Sequence, residues 1–227
     1  MPKWSPDGRQ IAFNSVGGAA GLYLIAASGG DPKSASRHGG GELRSSWSPD
    51  GAELMYSDIP WNQPQKVAVH ILHLATGKVE TVPGSEGFFA PQWSPDGRQA
   101  TASALDQRIM LFDFATHTWS QLAQGWGLVR WSADGHWVYY LRYQDNPAIM
   151  RVRISDRYVE QVASLNGIRL TGMFAGLEFG LTPQGNPLIT HDIGIQKVYS
   201  LNWNSQYGVT GADAADRGLS CERPKGT

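Results

Sequence analysis

A five-residue pattern, Trp-Ser-Pro-Asp-Gly, recurs along the chain and restricts its possible folds more than any other feature. It occurs three times unchanged, once with alanine in place of proline, and once in a degenerate form. The copies follow one another at intervals of roughly 40–50 residues, which is the range of a repeated structural unit. They begin at Trp4, Trp47, Trp93, Trp131 and Leu181. The recurrence indicates a chain built from similar consecutive units.

The chemistry of Ser-Pro-Asp-Gly predicts a tight turn between two antiparallel strands. Proline presets the φ angle of the first turn position, aspartate suits the second, and glycine takes the left-handed conformation that returns the chain. The tryptophan before the turn ends the incoming strand and supplies a large side chain to bury. We therefore assign a structural role to the pattern residues Trp4, Asp7, Gly8, Trp47, Asp50, Gly51, Trp93, Asp96, Gly97, Trp131, Asp134 and Gly135.

Each unit contains four short segments that read as β-strands. The third segment is apolar on consecutive positions, as in Ile109-Met110-Leu111-Phe112, so both of its faces must be buried. No window shows the 3.6-residue apolar period of a helical repeat. The sequence therefore predicts an all-β fold, a β-propeller of four-stranded antiparallel blades with about five blades present.

The predicted propeller covers residues 1–203, and residues 204–227, which carry no strand pattern, are expected to form a disordered tail. The first unit starts within its first strand, and the fifth has no convincing fourth strand. Two alternatives follow: five blades that close imperfectly, or a ring from which one or more blades are missing. We expect the second.

Composition excludes several classes of function. The net charge is −1 and Lys and Arg are scattered, so the segment has no basic field for nucleic acid or for an anionic membrane surface. The single cysteine, Cys221, permits no intrachain disulfide. The sequence as written contains neither a signal peptide nor an apolar span, which predicts a cytoplasmic protein. An export or membrane segment upstream would instead predict a periplasmic one.

No motif of a known catalytic site, metal site or phosphate-binding loop occurs, which predicts a protein that is not an enzyme and has no cofactor. The repeated aspartates are explained by their turns and need no calcium. His70 and His73 lie three residues apart on one predicted strand, so they face opposite sides and cannot chelate one metal ion. We predict satisfied or exposed histidines instead.

A binding face is predicted from the parity of the turns. In a four-stranded meander the pattern turns share one end of the blade with the third-to-fourth strand turns. The opposite end, here called the loop face, carries the longer loops and the links between blades, where binding residues usually lie. Its candidate contact residues for a protein, peptide or small ligand are Arg44, Trp61, Glu86, Phe88 and Trp126. The alternative is that the three aromatic residues pack between blades.

The pattern resembles the PD40, or WD40-like, repeat of TolB-type β-propellers over residues 1–203. The final segment, His191 to Gly194 followed by Lys197 to Trp203, is similar to propellers that follow a winged-helix domain in bacterial transcription regulators. The resemblance implies a non-catalytic binding or sensing module within a larger bacterial regulatory protein. It leaves two alternatives: a propeller associated with a prolyl oligopeptidase-type serine peptidase, and a periplasmic TolB-like interaction protein.

Overall fold

The computed structural model describes residues 2–15, 21–36, 42–58, 67–142, 146–169, 179–191 and Gly194. Within these ranges, the side chains of residues 36, 42, 43 and 126–128 are not described. The chain divides into two compact units, Met1–Asp192 and Ile193–Thr227. Only Gly194 is described in the second unit, so the predicted tail and Cys221 lie outside the described residues.

The described elements are β-strands, grouped in chain order into five sheets. Sheet 1 contains β1 (Lys3–Trp4), β2 (Gln10–Ser15), β3 (Gly21–Ala26) and β4 (Lys33–Ser36). Sheet 2 contains β5 (Glu42–Trp47), β6 (Glu53–Asp58), β7 (Val69–His73) and β8 (Val79–Thr81). Sheet 3 contains β9 (Phe88–Trp93), β10 (Gln99–Ala104), β11 (Arg108–Asp113) and β12 (Thr118–Gln124). Sheet 4 contains β13 (Trp126–Trp131), β14 (Trp137–Arg142), β15 (Ala148–Arg153) and β16 (Val159–Ser164), and sheet 5 contains β17 (Phe179–Leu181) and β18 (Pro187–Ile189).

Sheets 1 to 4 are antiparallel meanders in which each strand pairs with the next one in the chain. This confirms the predicted all-β fold and its four-stranded units. Among the described residues the five sheets do not close into a ring. In that part of the chain, no helix is long and apolar enough to cross a membrane.

The core lies between successive sheets, because alternate residues of each middle strand face opposite neighbours. In β11, Ile109 and Leu111 belong to the cluster shared with sheet 4. Met110 and Phe112 belong to the cluster shared with sheet 2. All four side chains are buried, as the continuous apolar run predicts. Burying each one stabilises the fold by about 1.5–3 kcal/mol relative to leaving it exposed.

The pattern tryptophans face the sheet that precedes them. Trp47 packs with Leu22 of sheet 1 and is only 9% exposed. Trp93 packs against the cluster that contains Met55 of sheet 2. Trp4 is 60% exposed, because no described sheet lies on that side of sheet 1.

Candidate functional site

The pattern turns have one geometry in all five copies. The amide of Gly8 donates a hydrogen bond to the carbonyl oxygen of Ser5, 2.9 Å away, and Gly8 has a φ of 69°. The other four copies repeat this hydrogen bond at 2.8–3.0 Å, with glycine φ values between 70° and 81°. A φ in this range is left-handed and favours glycine, which accounts for the glycine of the pattern.

The aspartate of each turn is engaged by its own turn. Asp7 Oδ1 accepts hydrogen bonds from the Ser5 hydroxyl at 2.6 Å and from the Arg9 amide at 3.0 Å. The hydrogen bond from Ser5 is the main cause that lowers the pKa of Asp7. Three further copies repeat the arrangement, at Asp50, Asp96 and Asp134. Within the described ranges, no group of three or more potential ligand residues is arranged to hold a metal ion.

Successive turns also touch one another. A Cβ added to Gly51 would lie 3.6 Å from the Cδ of Pro6, in the turn of the preceding unit. Pro49 bears the same relation to Gly97 at 3.5 Å, and Pro95 to Gly135 at 3.7 Å. The proline of one turn and the glycine of the next therefore lie close to each other at this end of the sheets.

The predicted contact residues of the loop face differ in how exposed they are. Glu86 is exposed in the link between β8 and β9, and Arg44 is half-buried in β5. Trp61 and the side chain of Trp126 lie outside the described residues. The prediction that Phe88 contacts a partner has to be corrected. Phe88 is 8% exposed, and its ring meets that of Trp119 edge to face, with the two centroids 4.9 Å apart. Because its ring packs in the core beside β12, Phe88 is not available to a partner.

Arg44 occupies a β-bulge that the sequence does not reveal. Its φ is 52°, and the register between β5 and β6 shifts between Leu43 and Ser46. Ala90 in β9 lies at the equivalent position, three residues before the pattern tryptophan, and also has a φ of 52°. Bulges often re-aim a side chain near a functional site. Neither arginine nor alanine signals a left-handed residue, so this feature could not be predicted.

The two histidines of β7 face opposite sides of sheet 2, as strand alternation predicts. His70 lies beside Tyr56, with ring centroids 5.4 Å apart, and Tyr56 belongs to the core shared with sheet 1. His73 Nδ1 lies 2.8 Å from Glu53 Oε1 on the other face.

His70 links three strands of sheet 2. Its Nε2 lies 2.5 Å from Asp58 Oδ2 on β6, and its Nδ1 lies 3.1 Å from Thr81 Oγ1 on β8. The His70 side chain is 10% exposed, and both of its ring nitrogens have a hydrogen-bond partner. This chain of hydrogen bonds attaches the short outer strand β8 to the middle of the sheet. The satisfied histidine agrees with the sequence prediction, while its partners could not be identified without the strand register.

A cleft of about 350 Å³ lies between sheets 2 and 3. Its lining includes Glu53, the first residue of β6, as well as Gly97 and His117, which lie in turns of sheet 3. These three residues belong to the end of the sheets that carries the pattern turns, away from the loop face. The sequence carries no local signal for this cleft, because its two walls come from different repeats.

No family model matches the chain. Atu1656 of Agrobacterium fabrum, named as an uncharacterized protein, is 26% identical over 171 residues, which cover 71% of this chain and 57% of that protein. YuxL of Bacillus subtilis, named as an uncharacterized peptidase, is 41% identical over 56 residues, or 24% of this chain and 8% of YuxL. The matches therefore span little more than half of one relative and a small part of the other.

Solved structures show the same fold. A protein of Agrobacterium tumefaciens described as TolB has a TM-score of 0.58 at 20% identity, over 71% of this chain and 64% of that one. TolB of Acinetobacter baumannii has a TM-score of 0.60 at 19% identity, over 84% of this chain and 46% of that one. An oligogalacturonate lyase in complex with manganese has a TM-score of 0.54 at 18% identity, over 66% and 46% of the two chains.

The chain therefore has a TolB-like β-propeller fold. The proteins that resemble it include two TolB proteins, a lyase and, over a short segment, a protein named as a peptidase. Because one fold carries different functions, the function has to be argued from the residues of this chain.

Proposed function

We propose that this chain is a non-catalytic binding module that holds a protein or peptide partner on its loop face, as the sensing part of a larger bacterial regulatory protein. The observation that supports this most directly is that the polar residues of the repeats are hydrogen-bonded within the protein. Ser94 and Asp96, like their counterparts, are engaged in turns, and His70 is engaged in a link between strands. These contacts serve to build a rigid scaffold.

The loop face places polar side chains on that scaffold, where a partner can contact them. Glu86 is exposed, and Arg44 is held by a bulge in the innermost strand of sheet 2. Arginine is enriched among residues that dominate binding energies, and loops on a rigid scaffold are frequent binding sites. Trp61 and Trp126 complete the proposed contact set, while Phe88 is left out because it is buried.

The test is capture of partners by the immobilised chain, followed by identification and an affinity measurement with the purified partner. Arg44→Ala, Trp61→Ala and Trp126→Ala are expected to weaken binding at least tenfold in combination, since central interface residues contribute about 1–2 kcal/mol or more each. Arg9→Ala is the matched control, because Arg9 is exposed in a pattern turn at the opposite end. Equal affinity of the triple variant and the control would refute the loop face.

A second candidate function is a propeller that accompanies a serine peptidase domain, as the 56-residue similarity to YuxL suggests. A third is a TolB-like interaction protein of the periplasm, which the TolB structures favour. The coding sequence on both sides separates these possibilities. A hydrolase domain downstream supports the second, an export signal upstream supports the third, and a winged-helix or kinase domain upstream supports the regulatory module.

A further inference from the structure

The cleft between sheets 2 and 3 has two walls of different chemistry. Sheet 2 contributes two carboxylates, and sheet 3 contributes a cluster of aromatic rings. The side chains that define these walls are Glu53, Ile71 and Glu80 on one side and Trp93, Phe112 and Phe114 on the other. Its volume of about 350 Å³ falls within the range of roughly 300–1,000 Å³ that is usual for ligand sites.

The aromatic wall is tightly organised. The rings of Trp93 and Phe114 are stacked, with centroids 4.4 Å apart and an interplanar angle of 8°. Phe112 meets Phe114 edge-on at 5.0 Å and 89°. The faces of such rings carry negative electrostatic potential and attract cations, most strongly in the case of tryptophan.

The opposite wall carries two carboxylates with basic groups beside them. Glu53 and Glu80 flank His73, at 2.8 Å from its Nδ1 and 3.7 Å from its Nε2. Lys78 Nζ lies 2.5 Å from Glu80, and this hydrogen bond is the main cause that lowers the pKa of Glu80. Two carboxylates therefore line this wall, beside one ammonium group and one imidazole. The cleft presents carboxylate oxygens opposite electron-rich rings.

Sheet 4 holds a cation at the position that Ile71 occupies in sheet 2, beside Trp137 of its own sheet, which stands at the position of Glu53. Glu160 pairs across strands with Arg151, just as Glu80 pairs with Ile71 in sheet 2. Arg151 donates a hydrogen bond from Nε to Glu160 at 2.6 Å, and its guanidinium lies 4.1 Å from the ring centroid of Trp137. Sheet 4 thus supplies its own cation between a carboxylate and an aromatic face. In sheet 2 the equivalent residue is isoleucine.

We propose that the cleft binds an organic cation, an ammonium or guanidinium group on an apolar stem, between the carboxylates of Glu53 and Glu80 and the aromatic wall around Trp93. The apolar stem would lie against Ile71 and Phe114. The inference rests on the proposed binding function and adds a second site to it, in the cleft between sheets 2 and 3.

The test uses N-acetyl-arginine methylamide and N-acetyl-lysine methylamide as probes, followed through the indole N–H signals in ¹H–¹⁵N spectra. The citrulline and norleucine analogues are the matched neutral controls. The cationic probes are expected to shift the Trp93 signal, which Trp93→Phe identifies. Glu53→Gln and Glu80→Gln should each weaken binding by about two- to fivefold, as expected for a partly exposed ion pair. Higher salt should weaken it further.

Asp31→Asn is the matched acidic control, because Asp31 is exposed between β3 and β4 of sheet 1 and does not line the cleft, and it should leave the affinity unchanged. Thermal midpoints establish that each variant is folded. Equal binding of arginine and citrulline probes, or absence of any shift at Trp93, would overturn the proposal. Agmatine and an acetylated Gly-Arg-Gly amide distinguish the source of the cation: tighter binding of the peptide assigns a protein side chain, and tighter binding of agmatine a free amine.

The two proposals can fail separately. If the loop-face variants reduce partner capture and no cationic probe binds, only the cleft is refuted. If the probes bind and the loop-face variants capture the partner normally, the loop face is refuted and the cation site stands.

Discussion

The indole Nε1 of Trp47 donates a hydrogen bond to the backbone carbonyl oxygen of Lys3, 3.0 Å away in the preceding sheet. The residues are 44 positions apart in the chain, so this bond joins two repeats. It adds a directional contact to the apolar packing of Trp47 on sheet 1. The equivalent indole nitrogens of Trp93 and Trp131 are buried and, within the described structure, have no hydrogen-bond partner.

This contrast predicts unequal effects of the same substitution. Trp47→Phe removes a hydrogen bond between sheets, whereas Trp131→Phe removes a buried donor that has none. We expect Trp47→Phe to lower the free energy of unfolding by about 1–3 kcal/mol more than Trp131→Phe does. Urea unfolding of both variants measures the difference. Equal losses would show that ring packing alone sets the contribution of these tryptophans.

The left-handed glycines predict a second result. Gly97→Ala and Gly8→Ala both place a Cβ on a residue with φ near 70°, which costs about 1–2 kcal/mol. At Gly97 the added Cβ would meet Pro49 at 3.5 Å, an ordinary contact distance, and at Gly8 it would meet no atom within 4 Å. The two variants should therefore lose similar stability in urea unfolding. A much larger loss at Gly97 would mean that the contact between turns tolerates no added methyl group.

The turn aspartates predict a pH dependence of stability. The hydrogen bond from the Ser94 hydroxyl is the main cause that lowers the pKa of Asp96 below its ordinary value of 3.8. A carboxylate with a lowered pKa stabilises the folded state above its ordinary pKa, and this contribution is lost as the pH falls through the lowered value. Hydrogen bonds from the serine of the same turn likewise lower the pKa values of Asp7, Asp50 and Asp134.

Asp96→Asn should therefore be less stable than the unmodified chain at about pH 7, and this difference should shrink as the pH falls below the ordinary aspartate pKa of 3.8. Urea midpoints across this pH range provide the measurement. A difference that is independent of pH would show that the charge of Asp96 has no part in holding the turn.

The bulge at Arg44 predicts that stability and binding can be separated. Asparagine tolerates the left-handed conformation better than alanine does, so Arg44→Asn should have a higher thermal midpoint than Arg44→Ala. The same variant should weaken partner capture if the Arg44 side chain contacts the partner. Arg153→Asn in sheet 4 controls for loss of an arginine where φ is not left-handed. A folded Arg44→Asn variant that captures the partner fully would exclude Arg44 from the binding face.

Much of the blade could be predicted because its signals are local. The turn at Ser94–Gly97 follows from the conformational preferences of four adjacent residues, and the burial of Ile109 to Phe112 on both faces follows from an unbroken apolar run. The opposite orientations of His70 and His73 follow from strand alternation alone.

The remaining features depend on which residues of different repeats meet. Phe88 was predicted to be a contact residue, yet Trp119, 31 positions later, covers it. The link from Asp58 through His70 to Thr81 requires the register of three strands. The cleft requires the separation of two sheets, and that distance depends on side chains packed between them.

Local sequence was sufficient to identify the repeating unit, its turns and the alternation of its faces, because backbone preference and side-chain parity act over a few residues. The bulge at Arg44, the burial of Phe88 and the pairing of an acidic wall with an aromatic wall were decided by packing between sheets. Such packing is a property of surfaces brought together from distant parts of the chain, so no single repeat contains the information that specifies it.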